Sequence, residues 1–173
     1  MLDEVKYWCD QGSLTLLVPP IPGSPLIRKM YLSAELHRQV LEPHADMDEA
    51  TRWDSLRSDL DDYVEGRMIS VARDSFKGGK TAYLKRLHPP GDEVWEIRSR
   101  HPKPGIRIFG RFAEKDVFVA LQWSNRSNLK GPGSREWRDA IERCKTEWRR
   151  MFYAYKPFTG NYPDEYFSNF ILV

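Results

Sequence analysis

Residues 94–100, 106–112 and 117–123 each alternate apolar and polar side chains at period two, and only short turns separate them. Successive side chains of a strand point to opposite faces, so the pattern predicts strands with one buried face. Connections this short cannot cross over a sheet, which restricts the segments to antiparallel hairpins. His101-Pro102-Lys103-Pro104-Gly105 and Ala113-Glu114-Lys115-Asp116 supply the turns. Proline gives a ladder no donor, and glycine permits backbone angles closed to other residues. A three-stranded antiparallel meander over residues 94–123 is the expected centre of the fold.

Register follows from burial, because a slip of one residue exchanges the faces of a strand. Pairing Ile97 with Ile108 and Ser99 with Ile106 aligns the first hairpin. Pairing Phe112 with Val117, Gly110 with Val119, Ile108 with Leu121 and Ile106 with Trp123 aligns the second. One face then carries Trp95, Ile97, Ile106, Ile108, Val117, Val119, Leu121 and Trp123, and needs a helix packed on it. The other carries Glu96, Arg98, Arg100, Arg107, Phe109, Arg111, Phe118 and Gln122. Arginine is a planar, permanently charged fork that suits phosphate and stacks on rings. Two readings of this face stand side by side: it binds a phosphate-bearing ligand, or its arginines pair with Glu96 and an acidic helix and simply cover the sheet.

Two amphipathic helices are legible. Asp46 is placed to cap a helix over residues 47–65, with Glu49 completing a capping-box spacing and Trp53, Leu56, Leu60 and Val64 on one face. Its acidic residues form a solvated face rather than a metal site. Ser134 is placed to cap a second helix, with Trp137, Ile141, Cys144 and Trp148 along one stripe. Residues 13–18 read as a short strand stopped by prolines, and residues 68–72 as another. Residues 27–41 fit either a strand running into a helix or a single helix. Residues 167–173 fit either an edge strand or a docking tail. Gly78-Gly79-Lys80-Thr81 invites a phosphate-loop reading, but Asp74 stands where that pattern needs glycine, so a basic turn is expected.

With 173 residues, 40% apolar and 30% charged, the chain suits one domain and neither a disordered nor a membrane-spanning class. No apolar run approaches the roughly 18 residues of a spanning helix. Met1-Leu2-Asp3-Glu4 begins the chain without an apolar signal core, so a cytoplasmic protein is expected, with Cys9 and Cys144 reduced. Within the single domain 1–173, residues 1–80 read as an N-terminal elaboration, 81–152 as the core and 153–173 as an aromatic tail.

From Tyr83 to Phe152 the order of features resembles the RelE/HigB-like toxins of type II toxin–antitoxin systems, in the RelE/ParE superfamily. The matching residues are Leu84-Lys85-Arg86-Leu87, then Val94-Trp95-Glu96-Ile97-Arg98, Gly105-Ile106-Arg107-Ile108-Phe109, the apolar strand from Val117 to Leu121 and the helix around Ala140 to Arg143. The resemblance implies an α+β fold with a small antiparallel sheet and amphipathic helices on one face. It also implies a messenger-RNA endoribonuclease, often ribosome-associated, with no metal or other cofactor and with a cognate antitoxin as partner. Arg107 matches the family's phosphate-contacting arginine and Arg98 the arginine of the preceding strand; Arg111 joins them as a catalytic candidate. Arg100, Arg126 and Lys130 are the corresponding RNA-binding candidates, and Phe109 or Phe118 would stack a base. The sequence departs from the family in two places. Asn125-Arg126 stands where members often carry a lysine pair, and the catalytic Tyr or His near the last strand has only Tyr153 or Tyr155 as counterparts. A non-catalytic module of the same fold, binding an acidic protein or a nucleic acid, is the alternative.

Overall fold

The computed structural model describes residues 1–72 and 81–173. Its first half contains α1 (Leu2–Asp10), β1 (Leu14–Leu16), β2 (Lys29–Ser33), α2 (Ala34–Leu41), α3 (Met47–Val64) and β3 (Ile69–Val71). Then come β4 (Leu84–Arg86), β5 (Trp95–Ser99), β6 (Ile106–Glu114), β7 (Val117–Asn125), α4 (Arg135–Met151), α5 (Pro163–Tyr166) and β8 (Phe170–Leu172). The glycine-lysine turn lies in residues 73–80, outside the described residues.

Among the described residues the strands form one sheet of eight, in the order β1-β2-β7-β6-β5-β4-β3-β8. The expected meander is its centre, yet the sheet is neither small nor wholly antiparallel. β2 lies parallel to β7, and β3 lies parallel to both β4 and β8. Residues 27–41 are thus a strand running directly into a helix, and residues 170–172 an edge strand. The helix caps are where the side chains placed them: Asp46 accepts from the Glu49 amide at 2.8 Å, and Ser134 from the Trp137 amide at 3.2 Å. Helix α1 has no counterpart in the sequence-based reading.

The first hairpin has the expected register, with Ile97 opposite Ile108 and Ser99 opposite Ile106. The second does not. Ile108 faces Trp123 rather than Leu121, Ile106 faces Asn125, and Gly110 faces Ala120. Irregularities between Phe109 and Gly110, and between Phe112 and Glu114, shift the pairing along the ladder. Each extra residue reverses the facing of the side chains beyond it. Gly110 marks the first of them: a Cβ there would meet the ring of Phe118 at 2.5 Å and the carbonyl of Val119.

The faces change accordingly. Trp95, Ile97, Ile106 and Ile108 share a core with Trp53, Leu56 and Leu60 of α3. Phe118 joins that core, whereas Val117, Val119 and Leu121 join Phe109 on the arginine face. There they pack beneath Trp137, Ile141, Cys144 and Trp148 of α4. Helices therefore cover both faces of the sheet, not one. A row of apolar residues on the supposedly polar face gives α4 something to bury.

Buried Arg28 joins distant parts of the chain. Its guanidinium donates to the carbonyls of Tyr63 and Arg67 at the end of α3 and of Ser168 and Asn169 before β8, at 2.6–3.0 Å. Tyr166 similarly donates to Glu93 at 2.7 Å, fixing the tail against the start of β5. Both cysteines are free, Cys144 in the core and Cys9 half-buried. No described helix is long and apolar enough to cross a membrane.

Candidate functional site

Helix α4 covers the arginine face only in part. On β5 and β6, Arg98 lies directly opposite Arg107, and one row further along Glu96 lies between Lys85 and Phe109. Like charges directly opposite one another destabilise a strand pair. Glu96 offsets this, with Oε1 3.4 Å from Arg98 Nε and Oε2 3.7 Å from Arg107 Nε. Arg107 is 5% exposed and Glu96 2%.

Arg107 donates through Nη1 to the carbonyls of Ser99 and Ile106, both at 3.0 Å, which fixes its plane against the hairpin. Among the described residues its Nε has no hydrogen-bond acceptor, and Oε2 of Glu96 has no donor. Burial lowers the Arg107 guanidinium to about 10, opposed by Glu96 and reinforced by Arg98, Arg126 and Arg100. Burial raises the Glu96 carboxyl, against the pull of Arg98 and Arg107. The two charges are thus taken out of water 3.7 Å from each other, and desolvation outweighs their mutual attraction.

These side chains form the floor of a 570 Å³ cleft between the sheet and the first half of α4. Its rim adds Lys85, His88 and Arg126, and its apolar wall is made by Leu87, Pro132, Trp137 and Ile141. The Arg126 guanidinium rests 5.5 Å from the centroid of the Trp137 ring, and its Nη1 donates to the Lys130 carbonyl at 2.5 Å. Asp92 and Glu142 also line the cleft. A second depression of 510 Å³ shares Arg98, Arg107 and Arg126 with the first and continues past Arg100 and Lys103 to the β5–β6 turn. A positively charged track thus passes over a buried guanidinium into a pocket with apolar walls. Such a surface suits a ligand with both phosphate and a flat apolar ring.

The structure brings some of the expected site residues together and separates others. Arg98, Arg107, Arg126 and Arg100 converge on the two depressions. Arg111 shares their face but lies under α4, 7% exposed, donating to the Asp92 carbonyl, with its guanidinium 5.6 Å from the Trp148 ring. Burial lowers its pKa too, and its role there is to seat the helix. Phe109 is fully buried against Trp137, and Phe118 is fully buried in the opposite core, so neither offers a face to a base. Lys130 is exposed and paired with Glu136 at 2.5 Å. Tyr153 and Tyr155 lie past the C-terminal end of α4, where the chain turns back and Trp148 Nε1 donates to the Tyr155 carbonyl at 3.0 Å, and neither lines the cleft. Lys85, His88, Trp137 and Glu142 are the cleft residues that the alternation pattern did not single out. Trp137 and Glu142 belong to the helix read as covering an apolar face, and only the second hairpin's bulges bring that helix here.

Comparison with protein-family models, with curated proteins and with solved structures returns no match to this chain.

Proposed function

We propose that the cleft binds the sugar–phosphate backbone of RNA and that the chain is a RelE/HigB-like endoribonuclease. The observation that supports this most is Arg107. A nine-tenths-buried guanidinium, placed where two basic depressions meet and fixed in orientation by two backbone carbonyls, suits an oxyanion.

In this reading a ribose 2′-oxygen attacks the adjacent phosphorus in line with the bond to the 5′-oxygen. The O2′–P bond forms, the P–O5′ bond breaks, and the products are a 2′,3′-cyclic phosphate and a 5′-hydroxyl. Arg107 and Arg98 stabilise charge on the non-bridging oxygens, and Arg126 orients the neighbouring phosphate. One proton must leave O2′ and one must reach O5′. His88 and Glu96 are the cleft side chains suited to carry them. Glu96 also holds the two arginines at their spacing.

The test is induced expression with mapping of RNA 5′ ends. Growth arrest with new 5′-hydroxyl ends is expected; Arg126→Ala, at a half-buried residue, should lose it with an unchanged melting transition, and Arg107→Ala should lose it with a lowered but still cooperative one. Full activity in a folded Arg107→Ala variant would remove the reading. A second reading, a non-catalytic RNA-binding module, draws on the position of Tyr153 and Tyr155 away from the cleft. Salt-sensitive RNA binding with no new ends would favour it.

A further inference from the structure

The depression beside the β5–β6 turn differs in charge from the cleft it joins. Asp92, Glu96 and Glu142 line the cleft, whereas no carboxylate among the described residues lines the depression. Arg98, Arg100, Lys103, Arg107 and Arg126 line it together with His101. Glu96 offsets part of the charge of Arg98 and Arg107 from the cleft side, and Asp59 lines a neighbouring hollow with Arg98 and Arg100. The chain as a whole carries a net charge of only +2, so its positive charge is concentrated here. A concave surface of one sign focuses the potential, and five cations exceed what a single phosphate requires.

The turn that carries these side chains is held from both sides. Residues 100–105 connect β5 to β6, and such loop tips are ordinarily the more mobile parts of a fold. Here Ser55 Oγ donates to the His101 carbonyl at 2.8 Å and Arg52 Nη1 to the Pro104 carbonyl at 3.4 Å, both from α3. The Arg126 amide donates to the Gly105 carbonyl at 2.7 Å. Gly105 is packed so closely that a Cβ there would lie 2.4 Å from the Ser99 carbonyl oxygen. Three carbonyl oxygens that would repel an anion are thereby taken up by protein donors. The wall bearing Arg100 and Lys103 is set before a ligand arrives, which lowers the cost of ordering it.

Spacing suits a polymer. Arg98 and Arg100 lie two residues apart and line the same depression, a separation of about 6.6 Å in extended chain. Adjacent phosphates of an extended strand are spaced similarly. Arg98, Arg107 and Arg126 line both hollows, so a backbone leaving the cleft passes directly into the depression. This continuity favours the strand already placed in the cleft over a separate acidic peptide.

We infer that the depression is a second phosphate-binding subsite, which takes the backbone of the nucleotides adjoining those in the cleft. Arg100 and Lys103 contact phosphates that the cleft does not reach. The inference rests on the RNA-binding reading above and adds the extent of the strand and the residues that hold its far part. It also gives α3 a share in binding, through the turn it fixes.

The experiment is fluorescence anisotropy of the whole chain with a trimer and an octamer of 5′-phosphorylated 2′-O-methyluridine, which lack the attacking hydroxyl and stay intact, and with a glutamate octapeptide. The octamer should bind at least about twentyfold tighter than the trimer, the effect of two further ion pairs. Its slope of log K against log salt should be steeper by about 1.4, at roughly 0.7 for each added phosphate. Lys103 is exposed, so Lys103→Ala keeps the fold. It should weaken the octamer about fivefold and make the slope shallower by about 0.7, with no comparable loss for the trimer. Equal affinities for the two lengths, or an octamer that binds Lys103→Ala as tightly as the parent, overturns the inference. So does a peptide that binds as tightly as the octamer. If the two lengths bind equally, the RNA-binding reading stands without the second subsite. If neither binds, both fall.

Discussion

Glu96 reaches Arg98 at 3.4 Å with one carboxylate oxygen and Arg107 at 3.7 Å with the other, so one buried anion holds together two cations that face each other across a hairpin. Removing one member of such a group leaves a buried charge with too few partners, whereas removing a cation and the anion together does not. Arg107→Met alone should therefore destabilise the protein by about 3 kcal/mol in urea unfolding. Adding Glu96→Gln should restore most of that loss, to within about 1 kcal/mol of the parent. Strictly additive effects of the two substitutions would show that the groups do not interact.

The same carboxyl makes stability depend on pH. Burial raises Glu96 despite its arginine neighbours, while an unfolded glutamate titrates near about 4.3. A folded value above the unfolded one means that the native state holds the proton more tightly. The contribution of Glu96 is then full below about pH 4.3 and is lost as pH rises through its folded value. Unfolding of the parent and of Glu96→Gln, compared from about pH 4 to pH 8, should show the parent losing ground to the variant as pH rises. A difference that does not change with pH would contradict the raised carboxyl.

Contacts from Arg98, Arg107 and Arg126 to three phosphates of single-stranded RNA predict a salt slope in log K of about −2, at roughly 0.7 ion per phosphate. Arg126 is only half-buried, so Arg126→Ala can be read without concern for the core. It should weaken binding and make the slope shallower by about 0.7. Filter binding at several salt concentrations measures both, and an unchanged slope would take Arg126 off the phosphate track.

Arg28 gives a prediction independent of the cleft. Its fork reaches the carbonyls that end α3 and those that precede β8, a span that the single ammonium of lysine does not reproduce. Arg28→Lys should cost about 3 kcal/mol in urea unfolding. Amide exchange should accelerate first in β3 and β8, which form the sheet edge that this residue secures. Exchange that speeds up evenly over the whole chain would argue against a local clamp.

Legibility of the fold from the sequence divides at Gly110. Up to that residue the alternation is strict, and the pairing of Ile97 with Ile108 can be read by eye. The caps at Asp46 and Ser134 are equally legible, because a side-chain oxygen before an amphipathic stripe has few other uses. Beyond Gly110, two bulges shift the pairing, and a period-two pattern cannot show where an extra residue has entered. That is why Phe118 exchanges faces with Val117 and Val119, and why α4 settles on the arginine side. The convergence of Arg98 and Arg107 survives, since it depends only on the first hairpin. The seclusion of Arg111 and Phe109 cannot be read from the alternation, because it depends on a helix whose landing place the bulges decide. The parallel strands are hidden for another reason: β2, β3 and β8 are short, and their partners lie far away in sequence.

That distance has a kinetic meaning. Residue 28 makes its hydrogen bonds with residues 168 and 169, and β3 pairs with β8 across a hundred residues. Local hairpins can form while the chain is still being made, but the guanidinium of Arg28 waits until residues 168 and 169 have left the ribosome. Contacts of such long range slow folding, since loop closure must be met before they can reward it. The central meander, and with it the Glu96–Arg98–Arg107 group, can therefore assemble well before the sheet edge is secured. Closing the sheet edge is thus a long-range step, whereas the basic floor needs only neighbours in sequence.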